Sequence, residues 1–231
     1  MTEETKEPDY IGHRQRLKER FMRTHGQDMA DYEFLELLLT LAIPRKDTKP
    51  LAKALIKEFG SFAGVLGADE RVLTNFSGLK SSSIFVFELI KEAALRMAWQ
   101  NLCAADQPVI ATWDNMLDYC RMRLSNIKHE EFVLIFLDAG LHVIGEEIQQ
   151  RGTTDNVAIH PAEVVKSAVF NSAKSVIMLH NHPSGGVTPS KYDILVTEQI
   201  LEALRSVNIK LQDHLIIGKS EYYSFRSNGL F

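Results

Sequence analysis

At 231 residues with 45% hydrophobic content, the chain is long enough for one large globular domain or two smaller ones, and its composition excludes extensive disorder. A formal net charge of -4 and a sequence pI near 6.1 exclude a broadly basic nucleic-acid-binding surface and leave room only for a local patch. The polar, acidic stretch MTEETKEPDY lacks the basic and apolar regions of a secretory signal, and no apolar run reaches membrane-spanning length, so the expectation is a cytoplasmic protein with no membrane partner. Cys103 and Cys120 have no Cys or His neighbour at metal-finger spacing and read as free, buried thiols.

In chain order, residues 12–23 have a helical period, with Ile11, Leu17 and Phe21 on one side. Arg14, Arg16, Lys18, Arg20 and Arg23 occupy the rest, which suits a solvated face or contact with phosphate. Asp31 is placed to cap a second helix that Pro44 ends. A third runs from Thr48 to Phe59, with Pro50 in its first turn and Gly60 as its stop. The turn within Leu73–Lys80, followed by a helix over Ser83–Trp99, resembles a helix-hairpin-helix, whose amides hold a DNA phosphate. A single glycine, Gly78, stands where the DNA-binding form has two, so the hairpin also reads as purely structural. Acidic and basic residues nearly balance over residues 1–108. The helical pattern dissolves between Asn101 and Pro108, dividing a helical domain at 1–104 from a second domain at 109–231.

The second domain alternates. A helix around Trp113–Leu124 precedes a buried strand over Phe132–Asp138, a turn at Ala139-Gly140, and a strand over Leu141–Gln149. A short strand near Asp155–Ile159, a helix over Pro161–Ala173, a buried strand at Val176–Leu179, an amphipathic helix after Ser190 and a last central strand at Asp213–Ile217 complete an α/β layered pattern.

The chemistry is concentrated in residues 175–193, SVIMLHNHPSGGVTPSKYD. His180 and His182 stand at a strand end at positions i and i+2, which point to the same side of an extended chain. With Ser190 as N-cap, Asp193 falls in the first helical turn, where its carboxylate can return to the histidines. Ser-x-x-Asp is also a capping signature that needs no metal. Two neutral imidazoles and a carboxylate make a three-ligand site, the set with which zinc keeps a position open for water. Mixed imidazole and carboxylate ligation favours zinc over manganese or iron.

His180-x-His182, seven residues, then Ser190-x-x-Asp193 resembles the signature of the JAMM (MPN-plus) metalloproteases, and HNHPSG followed by PS-x-x-D is similar to their RadC branch. HRQRLKERF, DYEFLELLL and IPRKDTKPLAK in the N-terminal part also resemble RadC proteins. The resemblance implies an α/β, cytidine-deaminase-like JAMM/MPN domain, a central mixed sheet flanked by helices, preceded by a small all-helical domain. It implies zinc on His180, His182 and Asp193, with Ser190 helping to stabilise an oxyanion. JAMM proteases place a general-base Glu at the start of an upstream strand, before an aromatic and aliphatic run. Glu131, before Phe132, matches it; Glu130 is the reserve, since adjacent strand residues face opposite sides, and Glu146 and Glu147 are further alternatives. Asp213-His214 and Gly152-Thr153 match family dipeptides without an assigned catalytic role, and His142, His160 and His214 read as lone hydrogen-bonding histidines.

The expectation is a zinc-dependent hydrolase that cleaves a peptide or isopeptide bond in a protein or peptide substrate. The alternatives are a DNA-binding or DNA-processing protein of repair or recombination, acting through the helical domain, and a non-catalytic scaffold.

Overall fold

A computed structural model describes residues 10–104, 106–125, 127–151, 159–219 and 221–231. The chain divides into two compact units, Met1–Ala93 and Ala94–Phe231. The division falls inside a helix, and the residues of that helix beyond Ala93 already belong to the second unit.

The first unit contains α1 (Tyr10–Thr24), α2 (Asp31–Ala42), α3 (Lys49–Phe59), α4 (Phe62–Leu66), α5 (Glu70–Asn75) and the start of α6 (Ser81–Cys103). Leu35, Leu39, Leu55, Val65, Leu73 and Phe87 form its dry centre. Ala30, and not Asp31, is the N-cap of α2. Asp31 instead spends its carboxylate on the amide of Phe62, 31 residues away, so a tertiary contact overrides the local cap. Gly78 adopts φ +95° in the turn before α6, a conformation that other residues rarely take. Arg14 donates to the carbonyls of Ile43, Pro44 and Lys46, closing the C-terminal end of α2.

The second unit holds α7 (Trp113–Leu124), β1 (Glu131–Leu137), β2 (Val143–Arg151), α8 (Pro161–Phe170), β3 (Ser175–Asn181), α9 (Lys191–Ser206), β4 (Lys210–Ile217) and β5 (Tyr222–Ser224). The strands form one mixed sheet in the order β2-β1-β3-β4-β5. β1 is antiparallel to both neighbours, β3 is parallel to β4 through the α9 crossover, and β5 returns antiparallel to β4. The sheet is therefore mixed and flanked by helices, as expected. β4 is the last central strand, and the three residues of β5 pair beyond it at the sheet edge. Of the strand expected near Asp155–Ile159, residues 155–158 lie outside the described residues, as do Gly152 and Thr153, and Ile159 itself is not in a strand.

Alternation in the strands divides the core into two layers. Val133, Ile135, Leu137, Ile177 and Leu179 pack with α7 and the end of α6. Phe132, Leu134, Phe136, Val176 and Met178 pack with α8 and α9. β1 and β3 are buried along their whole length, which explains their unbroken apolar runs. Cys120 is buried as expected; Cys103, near the end of α6, is exposed. No helix among the described residues is long and apolar enough to cross a membrane.

Candidate metal centre

The sheet delivers two imidazoles to the α9 side of its central strand. His180 lies opposite Phe132 in the β1–β3 register and continues the face of Val176 and Met178. His182 follows just after the strand, and its Nε2 is 3.1 Å from Nε2 of His180. The intervening loop turns back through Gly185, at φ +91°, and brings the Gly186 carbonyl 3.0 Å from Nδ1 of His182. A carbonyl only accepts, so the neutral His182 ring carries its proton on Nδ1 and turns the Nε2 lone pair inward.

Asp193 arrives from the first turn of α9. Ser190 is the N-cap: its Oγ accepts the Asp193 amide at 3.1 Å, and its own amide donates to Oδ2 of Asp193 at 2.7 Å. This reciprocal capping box fixes the carboxylate while Oδ1 lies 3.5 Å from Nε2 of His180 and Oδ2 lies 3.6 Å from Nε2 of His182. The capping residue is thus also placed to serve as a ligand, so the two readings of Ser-x-x-Asp are compatible. A hydroxyl that accepts the Asp193 amide keeps its own proton to donate, and Ser190 borders the adjoining cavity.

The donors fit a cation. One ligand atom from each of His180, His182 and Asp193 lies within 4.8 Å of the others. A tetrahedral ion with bonds of about 2.0–2.1 Å needs donors roughly 3.3 Å apart, close to the pairwise separations above. Two imidazole lone pairs that face each other beside a carboxylate repel unless a positive charge lies between them. Burial pushes His180 down to about 4, and the charge of His182 adds to the effect against the attraction of Asp193. The Asp193 carboxylate, 3.6 Å away, holds His182 above its ordinary value despite burial, helped by the Gly186 carbonyl and the charge of Glu130. Burial works to raise the Asp193 carboxyl, but the nearby His182, the charge of His180 and the hydrogen bonds from Ser190 hold it well below the usual carboxylate range.

A cavity of about 530 Å³ opens beside the three donors, bordered by Glu130, Glu131, Ile159, Ser184 and Tyr192. No lysine or arginine is among the described residues that line it. The two candidate bases differ. Glu131 is 2% exposed and its carboxylate accepts from Arg123 of α7 at 2.9 Å, on the face opposite His180. Glu130 lies one residue before β1, and its charge reaches His182 through space. Glu146 accepts from the Tyr119 hydroxyl at 2.6 Å, and Glu147 accepts from Ser167 at 2.8 Å. His142 joins Asp138 in the β1–β2 turn, and His160 caps α8 by its backbone.

Three side chains to which the sequence assigns no part in the site support the centre. Asn181, between the two histidines, points away from them. Its Oδ1 accepts the Glu131 amide at 2.8 Å, and its Nδ2 donates to the carbonyls of His129 at 2.9 Å and Ile127 at 3.3 Å. One buried amide thereby ties the segment that carries Glu130 to the strand that carries His180. His214 and Thr197 lie behind His180. A polar residue inside the apolar run of β4, and a threonine four residues after Asp193 on one helix face, were the available signals.

A family model described as the RadC-like JAB domain matches residues 110–230. A UPF0758 protein of Rhodobacter capsulatus is 42% identical to this chain over 214 residues, which cover 93% of this chain and 99% of that protein.

Asn181→Leu keeps the branched shape with somewhat more bulk and deletes three hydrogen bonds, leaving buried backbone groups unpaired. It is expected to lower stability by roughly 3 kcal/mol in denaturant unfolding. Asn181→Asp, which retains the acceptor for the Glu131 amide, is expected to lose less of the Glu131 amide's hydrogen-exchange protection than the Leu variant.

Proposed function

Because this chain belongs to the RadC-like JAB-domain family, we propose that it is a zinc-dependent hydrolase of the JAMM type that cleaves a peptide or isopeptide bond. The observation that carries the proposal is the triangle of His180, His182 and Asp193 set in the wall of an open cavity, with a carboxylate at the rim and no cationic side chain among the described lining residues. A structural zinc site closes its coordination with four protein ligands, whereas three ligands beside a cavity leave space for a reacting group. A phosphodiester calls for cationic partners, whereas a neutral amide does not.

Zinc held by His180, His182 and Asp193 supplies Lewis acidity, which polarises a carbonyl and lowers the pKa of water to about 7. We assign proton transfer to Glu130 in place of Glu131. Both carboxylates border the cavity, but Glu131 accepts from Arg123 of α7, while the charge of Glu130 reaches His182. The Glu130 carboxylate takes a proton from the attacking water and delivers it to the leaving nitrogen. The Ser190 hydroxyl donates to the carbonyl oxygen as negative charge develops there. Tyr192 and Ile159 border the same cavity and offer the substrate an apolar wall.

DNA docking through the helical unit has less support. Arg14, one candidate for phosphate contact, is engaged with three carbonyls, and Lys80 shares its cavity with Glu70 and Glu88.

The test is a screen of the zinc-reconstituted chain against quenched peptide and isopeptide-linked substrates. Glu130→Gln is expected to lower kcat by about 10²–10⁴-fold with zinc retained. Glu131→Ala is expected to act on the fold, costing roughly 3 kcal/mol by leaving the Arg123 charge unpaired. Glu130→Gln at the wild-type rate, or Glu131→Gln losing turnover without losing stability, contradicts the assignment.

A further inference from the structure

Behind the ligand His180 runs a chain of buried hydrogen bonds whose direction can be settled by counting protons. Nδ1 of His180 is 2.8 Å from Nε2 of His214. Nδ1 of His214 is 2.6 Å from the hydroxyl oxygen of Thr197, and that hydroxyl donates to the backbone carbonyl of Asp193. The carbonyl can only accept, so the single Thr197 proton is committed to it, and the Thr197 oxygen can only accept from His214. A neutral His214 therefore carries its one proton on Nδ1 and offers a lone pair at Nε2. His180 must then carry its proton on Nδ1, which leaves Nε2, the atom facing His182 and Asp193, as a lone pair.

We propose that Thr197 and His214 are positioning residues which lock His180 in the one tautomer able to bind a metal ion; the inference rests on the metal-centre reading above. The packing suits a fixed ring. His214 is 0% exposed, stacks on Phe225 at 4.5 Å between ring centres, and meets Phe132 edge-on at 5.8 Å. The neighbouring Asp213 serves the backbone instead, accepting from Ser224 and from the amides of His214 and Arg226, which holds the turn that presents Phe225. The chain starts and ends on α9 residues, since Asp193 supplies both the carbonyl and a ligand carboxylate. The histidine tautomer and the carboxylate position are thus set by one helical turn. Partners behind a metal-bound histidine commonly fix its tautomer and orientation in this way.

The experiment combines two readouts on the full chain. Nitrogen-15 NMR of histidine-labelled, metal-free protein reads the His180 tautomer, and competition against a chromophoric chelator reads zinc affinity. The wild type and Thr197→Ser are expected to show His180 protonated on Nδ1. Thr197→Val, nearly isosteric but unable to accept, is expected to give mixed tautomers and about 10–100-fold weaker zinc binding, with unchanged far-UV circular dichroism. His180 protonated on Nε2 in the metal-free wild type overturns the inference even if Thr197→Val fails to fold. So does Thr197→Val with wild-type tautomer and zinc affinity. The tautomer is read without metal, so a wild type that shows the Nδ1 proton but binds no zinc counts against the hydrolase reading alone.

Discussion

The domain depends on a single approach: the carboxylate of Asp193 meeting the inward nitrogens of His180 and His182. Two lone pairs 3.1 Å apart repel unless a positive charge lies between them, and the solvation that burial removes from Asp193 is offset by Ser190 and the two histidines. The fold holds them together by covalent and helical constraint. β3 and the turn after it fix the histidines, the route from β3 through α9 to parallel β4 returns the chain to the strand end, and the capping box sets the side chain of Asp193. A cation bound among these donors would relieve the repulsion, and its binding energy would then stabilise the fold.

Polar groups in the surrounding core follow the same logic. Asn181, Thr197, Asp213 and His214 are all buried, and each has hydrogen-bond partners that account for its main donors and acceptors. Such networks cost stability when incomplete and give a unique geometry when complete. The Arg123–Glu131 pair behaves similarly: it anchors the start of β1 against α7 at 2.9 Å, at the border of the cavity that the neighbouring Glu130 also lines.

What the sequence made legible were the local relations. The i, i+2 histidines at the end of an apolar run, the Ser-x-x-Asp cap, the helix at Trp113–Leu124 and the strand cores can each be read within a few residues, because period and capping are short-range properties. The face of Glu131 was not legible, since it follows from pairing Phe132 with the distant His180 and from an arginine on α7. The roles of His214, Thr197 and Asn181 were missed for the same reason: only the folded sheet brings β4, α9 and β3 to one point. β5 escaped because a three-residue strand has almost no pattern of its own and exists through its pairing with β4. Asp31 kept a capping residue's identity but spent its carboxylate on a distant amide, and Cys103 fell on an exposed helix position despite its type.

The central claim, that His180, His182 and Asp193 form a zinc centre, is tested most directly by elemental mass spectrometry of the purified full chain after zinc reconstitution and desalting. The comparison is between the wild type and a His180→Ala, His182→Ala double variant. The account predicts about one zinc per chain in the wild type and its loss in a variant that keeps its far-UV circular dichroism. A wild type that stays metal-free, or a folded double variant that retains the zinc, would contradict it.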